Sequence, residues 1–506
     1  SGNVYVFGSS NGTGSLLDFV IIKYNSSGAE KWVSRYNGEG SSSDQIISAC
    51  VDDSGNCYVT GYSTDLNSIS KLTTAKFDSS GNVEWVKIYD NQLISTSYGQ
   101  DIAIDASGNL AVCGPVRNIS MGRYSIVLLI YDSNGNTLAT SIYDGDDTGD
   151  KIPVSIKFDS NSNIIIGGSY HSISGNTDML ILKYDLTGNY KWAKRFNGTA
   201  NSDDRVTSMV LDNENNIYFC GSIYSAAGYL DYFYSKLDTL GTAQWSGIFN
   251  GAGNDLDIPY SIEIDLQKNL YITGFSRNDS VIGSEDVLAM KISPAGSLIW
   301  NRVYSGAADG TDQGNSVAID KNGNVYVGGA MDMGNVHLIY ALLKYDASGN
   351  LIWIKNYAGS NSPEDFIYDV DVDSMNNVYV TGISLDSISD YDIVTIKYSQ
   401  TVDIKQNSNF IPANYFLSQN YPNPFNPFTN LEFGISFSPQ TGEPGIVSLK
   451  IYDMLGKEVA TLVNAKLNPG THKYIFDASG LASGIYYYTL SAGHFTETKR
   501  MTLIKL

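Results

Sequence analysis

The chain has 506 residues but only four histidines. Two of them, His171 and His337, lie in its repetitive part, and neither has a second histidine at metal-binding spacing. There is no Cys-x-x-Cys pair and no phosphate-binding P-loop, so carboxylates are the main groups left for chemistry. Asp44, Asp150, Asp204, Asp257, Asp312 and Asp365 recur in register, each following an aromatic residue and a glycine. Such a set could ring a channel mouth and attract a cation, or supply acid and base to a polysaccharide. The competing role is local, with each aspartate bonding the backbone of its own turn. The densest cluster, Asp144-Gly-Asp146-Asp147-Thr148-Gly149-Asp150, partly matches a calcium loop, with Asp144, Asp146 and Asp150 as candidate metal ligands. Ser155 stands at the twelfth position, where such a loop needs glutamate, so calcium is the one cofactor to consider and its ligand set is incomplete.

Cys50, Cys57, Cys113 and Cys220 do not form a disulfide framework. A hairpin turning at Asp53-Ser54-Gly55 sets Cys50 opposite Tyr58 and Val51 opposite Cys57, so the first two thiols face opposite ways. Four free, mostly buried thiols are expected. The formal charge of −21 is spread along the chain and would repel nucleic acid and anionic membranes. No run of 18 apolar residues occurs, so no transmembrane helix is expected. Ser1 falls inside a repeat, which suggests a processed or partial chain.

The elements that position these groups come from a repeat. Its clearest copy reads Asp312-Gln-Gly-Asn-Ser-Val-Ala-Ile-Asp320, Gly323-Asn-Val-Tyr-Val-Gly-Gly329, Ala341-Leu-Leu-Lys-Tyr345 and Trp353-Ile-Lys-Asn-Tyr357. These are four short strands, a to d, separated by turn residues. Strand b recurs at Val4, Cys57, Leu110, Ile164, Ile217, Leu270, Val325 and Val378. All six tryptophans, Trp32, Trp85, Trp192, Trp245, Trp300 and Trp353, fall at one position of strand d, and Leu138 is assigned there in the remaining copy. One large aromatic per repeat is what packing between blades requires.

Four antiparallel strands in a unit of about 50 residues indicate a propeller blade. The pattern resembles bacterial β-propeller repeats of the form Asp-x-x-x-x-Ile-Ala-Val-Asp-x-x-Gly-Asn-Val-Tyr-Val-x-Gly. The resemblance implies that strand a lines a central channel and that d is outermost. The expected fold is all-β: an eight-bladed β-propeller of four-stranded antiparallel blades over residues 1–400, with seven blades as the alternative. The first copy lacks strand a and the last lacks d, so closing the ring needs residues ahead of Ser1 or a strand from beyond Tyr398. Tight Asp/Asn/Gly turns join a to b and c to d. The variable, Ser/Asn/Tyr-rich b-to-c loops and the d-to-a loops should share the opposite face.

Composition changes after Tyr398. A polar linker is expected over 401–413 and a small Ig-like β-sandwich over 414–506. The sandwich carries, in order, Tyr421-Pro422-Asn423-Pro424-Phe425, a turn ending at Gly456, Gly484-Ile-Tyr486, and a terminal strand from Lys499 to Lys505 and Leu506. This motif order resembles the type A sorting domain of the type IX secretion system. The resemblance implies that these residues form the sorting signal, that the type IX translocon is a partner, and that the chain reaches the surface or exterior of a Gram-negative bacterium. With no catalytic set in view, the expected activity is binding, adhesion or extracellular assembly, to a glycan, a protein or further copies, through the b-to-c loop face. The alternatives are a secreted polysaccharide hydrolase or lyase with acidic residues at the channel mouth, and a purely structural subunit of a surface layer or filament.

Overall fold

The computed structural model describes residues 2–505 apart from 13–14, 41, 146–148, 173–174, 201, 226–227, 278–283, 307, 309, 335–337, 360–363, 386–390, 400–404, 409–414, 427, 437–445, 479–480 and 494. No helix occurs among the described residues. The chain divides into two compact units, Ser1–Tyr398 and Ser399–Leu506.

In the first unit the described strands form eight antiparallel sheets in chain order. Five have four strands in the order a-b-c-d; blade 7, for example, runs through Gln313–Ile319, Val325–Asp332, Leu338–Tyr345 and Leu351–Tyr357. Among the described residues blade 1 has b, c and d (Val4–Asn11, Leu17–Tyr24, Glu30–Tyr36), and blade 8 has a, b and c (Asp365–Val372, Val378–Leu385, Tyr391–Tyr398). In blade 3 the a position is split between Ile94–Ser97 and Asp101–Ile104. Alternate apolar residues of b and c fill the space between neighbouring sheets, where Tyr326, Tyr340, Leu342, Ile367 and Val378 form one of several buried clusters.

The hairpin turns explain the recurrent Asp-x-x-Gly-Asn. Asp320 accepts the Asn322 and Asn324 amides through Oδ1 (both 2.9 Å), and its Oδ2 takes Asn324 Nδ2 (2.7 Å) and the Tyr326 hydroxyl (3.0 Å). Gly323 follows at φ +77°, a left-handed position that glycine adopts without strain.

The same turns lock blade to blade. Trp32 Nε1 and Lys23 Nζ both donate to Ser79 O in the c-to-d turn of the next blade (3.2 and 2.9 Å). Trp300 and Lys291 repeat this on Ala347 O (3.3 and 3.4 Å). The turn glycine lies flat on the indole, since a Cβ on Gly81 would stand 2.8 Å from the Trp32 ring. In blade 3, however, the tryptophan position belongs to Ala139, not Leu138. Ala139 pairs with Ile130 as Trp192 pairs with Lys183, and Leu138 points outward, 46% exposed. The turn aspartate sets the count: Trp85 is seven residues after Asp78, and Ala139 is seven after Asp132.

A second invariant is steric. Strand a carries a bulge in six blades, for instance between Gly314 and Ser316, which swings a carbonyl over strand b. A Cβ on Gly329 would sit 1.8 Å from Gln313 O, and on Gly61 1.8 Å from Gln45 O. Gly329→Ala should therefore destabilise the unit by about 1–3 kcal/mol, the usual cost of overpacking, as a lower urea midpoint at unchanged slope.

The second unit is a sandwich of two four-stranded sheets around Leu431, Phe433, Leu449, Ile451, Tyr488, Leu490 and Met501. Lys405–Ser408, inside the segment expected as linker, pairs with Gly470–Asp477. The four cysteines are free, and the pairs Cys50–Tyr58 and Val51–Cys57 lie in the expected register.

Candidate functional site

The two kinds of connection lie on opposite faces of the propeller unit. On one face, a-to-b turns touch their neighbours, with the Ser160 amide on Asn215 Oδ1 and Ser162 Oγ on Asp105 Oδ2 (both 2.8 Å). On the other, the d-to-a loops contact the ends of b-to-c connections. The Asp204 amide donates to Thr177 O and the Asp312 amide to Glu285 O (both 2.6 Å). The second face carries exposed apolar side chains on its loops: Leu16, Leu66, Leu93, Ile119, Met121, Tyr229 and Met333.

The aspartates placed at the channel mouth are buried staples of their own loops. Asp44, Asp204, Asp257, Asp312 and Asp365 are all fully buried, and each accepts the amide of the glycine six residues earlier. Asp44 also takes the Ser63 hydroxyl (2.6 Å), and Asp312 the Asp332 amide (2.8 Å). Burial pushes Asp257 and Asp312 up to about 6, partly offset by the Gly251 and Gly306 amides. These bonds tie each carboxylate to its own loop.

Asp150 is bonded by the Tyr124 amide (2.8 Å), Asp144 takes the Ser125 hydroxyl, and Asp146 lies outside the described residues. Among the described residues no three His, Cys, Asp or Glu side chains form a metal-holding group. His171 Nδ1 pairs with Thr177 Oγ1 (2.8 Å), and His337 lies outside the described residues.

A ring of side chains beyond the expected site residues lies on the channel side. Ser48, Asp101, Ser155, Ser208, Ser261, Ser316 and Asp369 occupy the same position of strand a, most of them directly after its bulge. They bond around the circumference. Ser48 Oγ donates to Asp101 Oδ1 (2.6 Å), the Ile156 amide to Asp101 Oδ2 (2.8 Å), and Ser316 Oγ to Asp369 Oδ1 (3.1 Å). Their spacing of 53 to 55 residues was the available signal.

In the C-terminal unit the motif residues converge on the last strand, Phe495–Leu503. Asn423 Oδ1 accepts the Thr502 amide (2.9 Å), the Phe425 amide donates to Thr502 O, and Phe425 O accepts the Ile504 amide (both 3.0 Å). Gln419 Nε2 reaches Arg500 O (2.7 Å). The Tyr421-to-Phe425 segment is thus a clasp on the edge opposite Gly484–Ala492, the strand that pairs with Phe495–Leu503. Both Tyr421–Pro422 and Asn423–Pro424 are cis. Phe425 is buried, whereas Tyr421 is 78% exposed. Tyr486 is buried and donates to Ala482 O (2.8 Å). Gly456 closes its turn at φ +78°, and Gly484 pairs with Leu503. Lys499 bridges to Glu497 (3.0 Å), and the Lys505 amide donates to Ser483 Oγ (2.9 Å). Asn423→Ala should cost about 1 kcal/mol, the net worth of one such bond, and speed amide exchange at Thr502 before the rest of the sheet.

Comparison with known proteins bears on both units. A model of the secretion system C-terminal sorting domain matches residues 419–505, and a β-propeller repeat model matches 303–330. An uncharacterized WD repeat-containing protein of Acanthamoeba polyphaga mimivirus is 26% identical over 171 residues, covering 28% of this chain and 12% of that protein's length. Among solved structures, PorZ, a surface component of the type-IX secretion system of Porphyromonas gingivalis, is 12% identical over 97% of this chain and 69% of its own (TM-score 0.32). The β-propeller domain of the Trilobed protease from Pyrococcus furiosus is 11% identical over 69% and 95% (TM-score 0.38). Drosophila Plexin A, solved with Semaphorin 1b, is 9% identical over 70% and 87% (TM-score 0.37). The repeated four-stranded sheets and the matched C-terminal motifs together identify a β-propeller repeat protein with a type IX sorting domain, exported to the cell surface or the extracellular space.

Proposed function

We propose that the propeller is a non-catalytic binding module, which meets an extracellular glycan or protein through the face formed by the b-to-c and d-to-a loops. The observation that carries this is the division between the faces. Repeated Asp/Asn/Gly turns close one side, while loops that diverge in length and sequence form the other; exposed apolar residues occur on both, Leu66 and Met121 on the loops and Leu240, Leu266 and Met375 on the turns, so it is the divergence that marks the loop face. Loops that vary while the scaffold beneath them repeats are where binding residues concentrate. The burial of the mouth aspartates weighs against the hydrolase or lyase alternative, which needs carboxyl groups open to a sugar.

The test is a glycan array and a pull-down from extracellular material, with the chain and with a variant whose loops 65–69 and 118–123 are replaced by Gly/Ser of equal length. Binding should be lost in the loop variant at unchanged thermal stability. Undiminished binding by the variant, or release of sugar from any array member, would refute the proposal.

A further inference from the structure

Blade 3 departs from the packing of its neighbours at three linked positions. In blade 2, Tyr58, Lys76 and Trp85 lie side by side across the sheet, and the Lys76 ammonium stands 5.4 Å from the Tyr58 ring centre. Ala111, Ile130 and Ala139 hold these places in blade 3. Elsewhere the indole covers an aromatic ring of the next blade, as Trp85 covers Tyr131 (6.1 Å between centroids) and Trp300 covers Tyr345 (6.2 Å). The equivalent ring in blade 4 is Tyr184, and Ala139 offers it no such cover. The turn at Gly188 closes directly on Ala139, since a Cβ on Gly188 would stand 2.8 Å from the Ala139 Cβ.

Tyrosines of the outermost strands take up part of the space. Tyr190, which opens strand d of blade 4 (Tyr190–Phe196), stands edge-on to Tyr184 (5.9 Å) and nearly parallel to Tyr143 at the end of strand d of blade 3 (6.1 Å, 21°). A cleft of about 670 Å³ remains, with all three rings in its wall and Ser141, Asp144 and Arg195 also lining it. Tyr190 is 52% exposed. Arg195 is exposed as well; its guanidinium lies 4.3 Å from the Tyr170 ring centre, and among the described residues it meets no hydrogen-bond acceptor and no carboxylate. Asp144 is engaged by the Ser125 hydroxyl. Beneath the cleft the charge is reversed relative to other blades. Lys151, fully buried and 4.2 Å from the same Tyr170 ring, holds the register place of Asp44.

We propose that this cleft binds a terminal sugar acid of an otherwise neutral extracellular glycan, its ring lying against Tyr190 and its carboxylate taken by Arg195. Tyrosine presents an apolar face with a polar tip, which suits a sugar ring that has both characters. The arginine fork matches a carboxylate with two parallel charged bonds, and Arg195 has its donors to give. One acid is indicated rather than a polyanion, because the chain carries −21 overall and would repel a long run of negative charge. The three rings in the wall select a cyclic ligand over an acidic peptide side chain, which would leave them uncovered.

The test is calorimetric titration of the full chain with two probes, xylotriose carrying one glucuronate and sialyllactose, each beside its methyl ester. At least one of the two acids should bind. Its ester, which keeps the ring and removes the charge, should bind about tenfold more weakly or worse, the effect of losing one charged hydrogen bond. Arg195→Gln should give the same loss and Tyr190→Ala a several-fold one, both at unchanged melting temperature because both side chains are exposed. The inference does not rest on loop-face binding. The variant with loops 65–69 and 118–123 replaced should hold the sugar acid unchanged while losing its loop-face ligand, and Arg195→Gln should do the reverse. Absence of binding by either acid at about 10 mM, equal binding of acid and ester, wild-type affinity in Arg195→Gln, or loss of the acid in the loop variant would overturn the proposal.

Discussion

Lowering the pH from 7 to 5 should stabilise the propeller unit. Asp257 and Asp312 are fully buried, and desolvation lifts both from 3.8 to about 6. The folded state therefore holds protons that the unfolded chain releases. The resulting stability is complete below the ordinary carboxylate range and is lost as pH rises through about 6. A carboxyl held that far up is worth about 3 kcal/mol. The turn aspartates run the other way. Bonds from Asn56, Asn109, Asn216 and their counterparts hold Asp52, Asp105 and Asp212 below the ordinary value, against the opposing effect of burial. Their contribution is present above that value and lost beneath it. Urea midpoints should thus rise from pH 7 to 5 and fall again below about 4, between the two sets. Asp257→Asn and Asp312→Asn keep an acceptor for the glycine amide and should each flatten the rise, gaining most at pH 7. A midpoint that stays level or drops between pH 7 and 5 would contradict this assignment.

Phe425→Ala should open the sorting domain at its last strand. The ring is buried against Phe476, at 6.3 Å between centroids, and its backbone bonds hold Thr502 and Ile504. Truncating a buried phenylalanine costs about 3–5 kcal/mol. The loss should appear as rapid amide exchange across Phe495–Leu503 while the propeller amides stay protected. Surface delivery, followed by labelling intact cells, should fall with it. Tyr421→Ala makes the complementary case, since an exposed side chain away from any cap or core changes stability by about 0.5 kcal/mol or less. If export also fails in Tyr421→Ala, the tyrosine is contacted by the export machinery rather than acting through the fold. Wild-type exchange at Phe495–Leu503 in Phe425→Ala would remove the clasp from the account.

What could be seen in the sequence was whatever a single residue type at a fixed spacing encodes. The tryptophans of strand d, the Asp-x-x-Gly-Asn turns and the cysteine register belong here, because each depends on a local turn and a two-residue strand period. Leu138 has the size the tryptophan slot would suit, but the turn at Asp132 fixes the count one residue later, at Ala139. The strand-a bulge was not legible, since it needs one extra residue in an alternating run and no distinctive side chain. Hence the crossing carbonyl over Gly329 could not be derived before the strands were paired, and of the Ser/Asp ring from Ser48 to Asp369 the regular spacing was visible but the bonds between blades were not. The mouth aspartates show the reverse case. Their recurrence was plain, but burial, which decides between a cation site and a loop staple, is a property of the packed blade. In the sorting domain the motifs were legible as a series, and their meeting at Thr502 was not, because Asn423 lies 79 residues away in sequence.

The division of labour between the two faces is tested most directly by protection from labelling. Single cysteines are placed at Asn67 in a b-to-c loop and at Asn322 in an a-to-b turn, and intact cells are treated with an impermeant thiol reagent. Both positions should react on cells displaying the chain, and added extracellular matrix should shield Asn67→Cys while leaving Asn322→Cys reactive. Equal shielding of the two, or shielding of Asn322→Cys alone, would contradict the account.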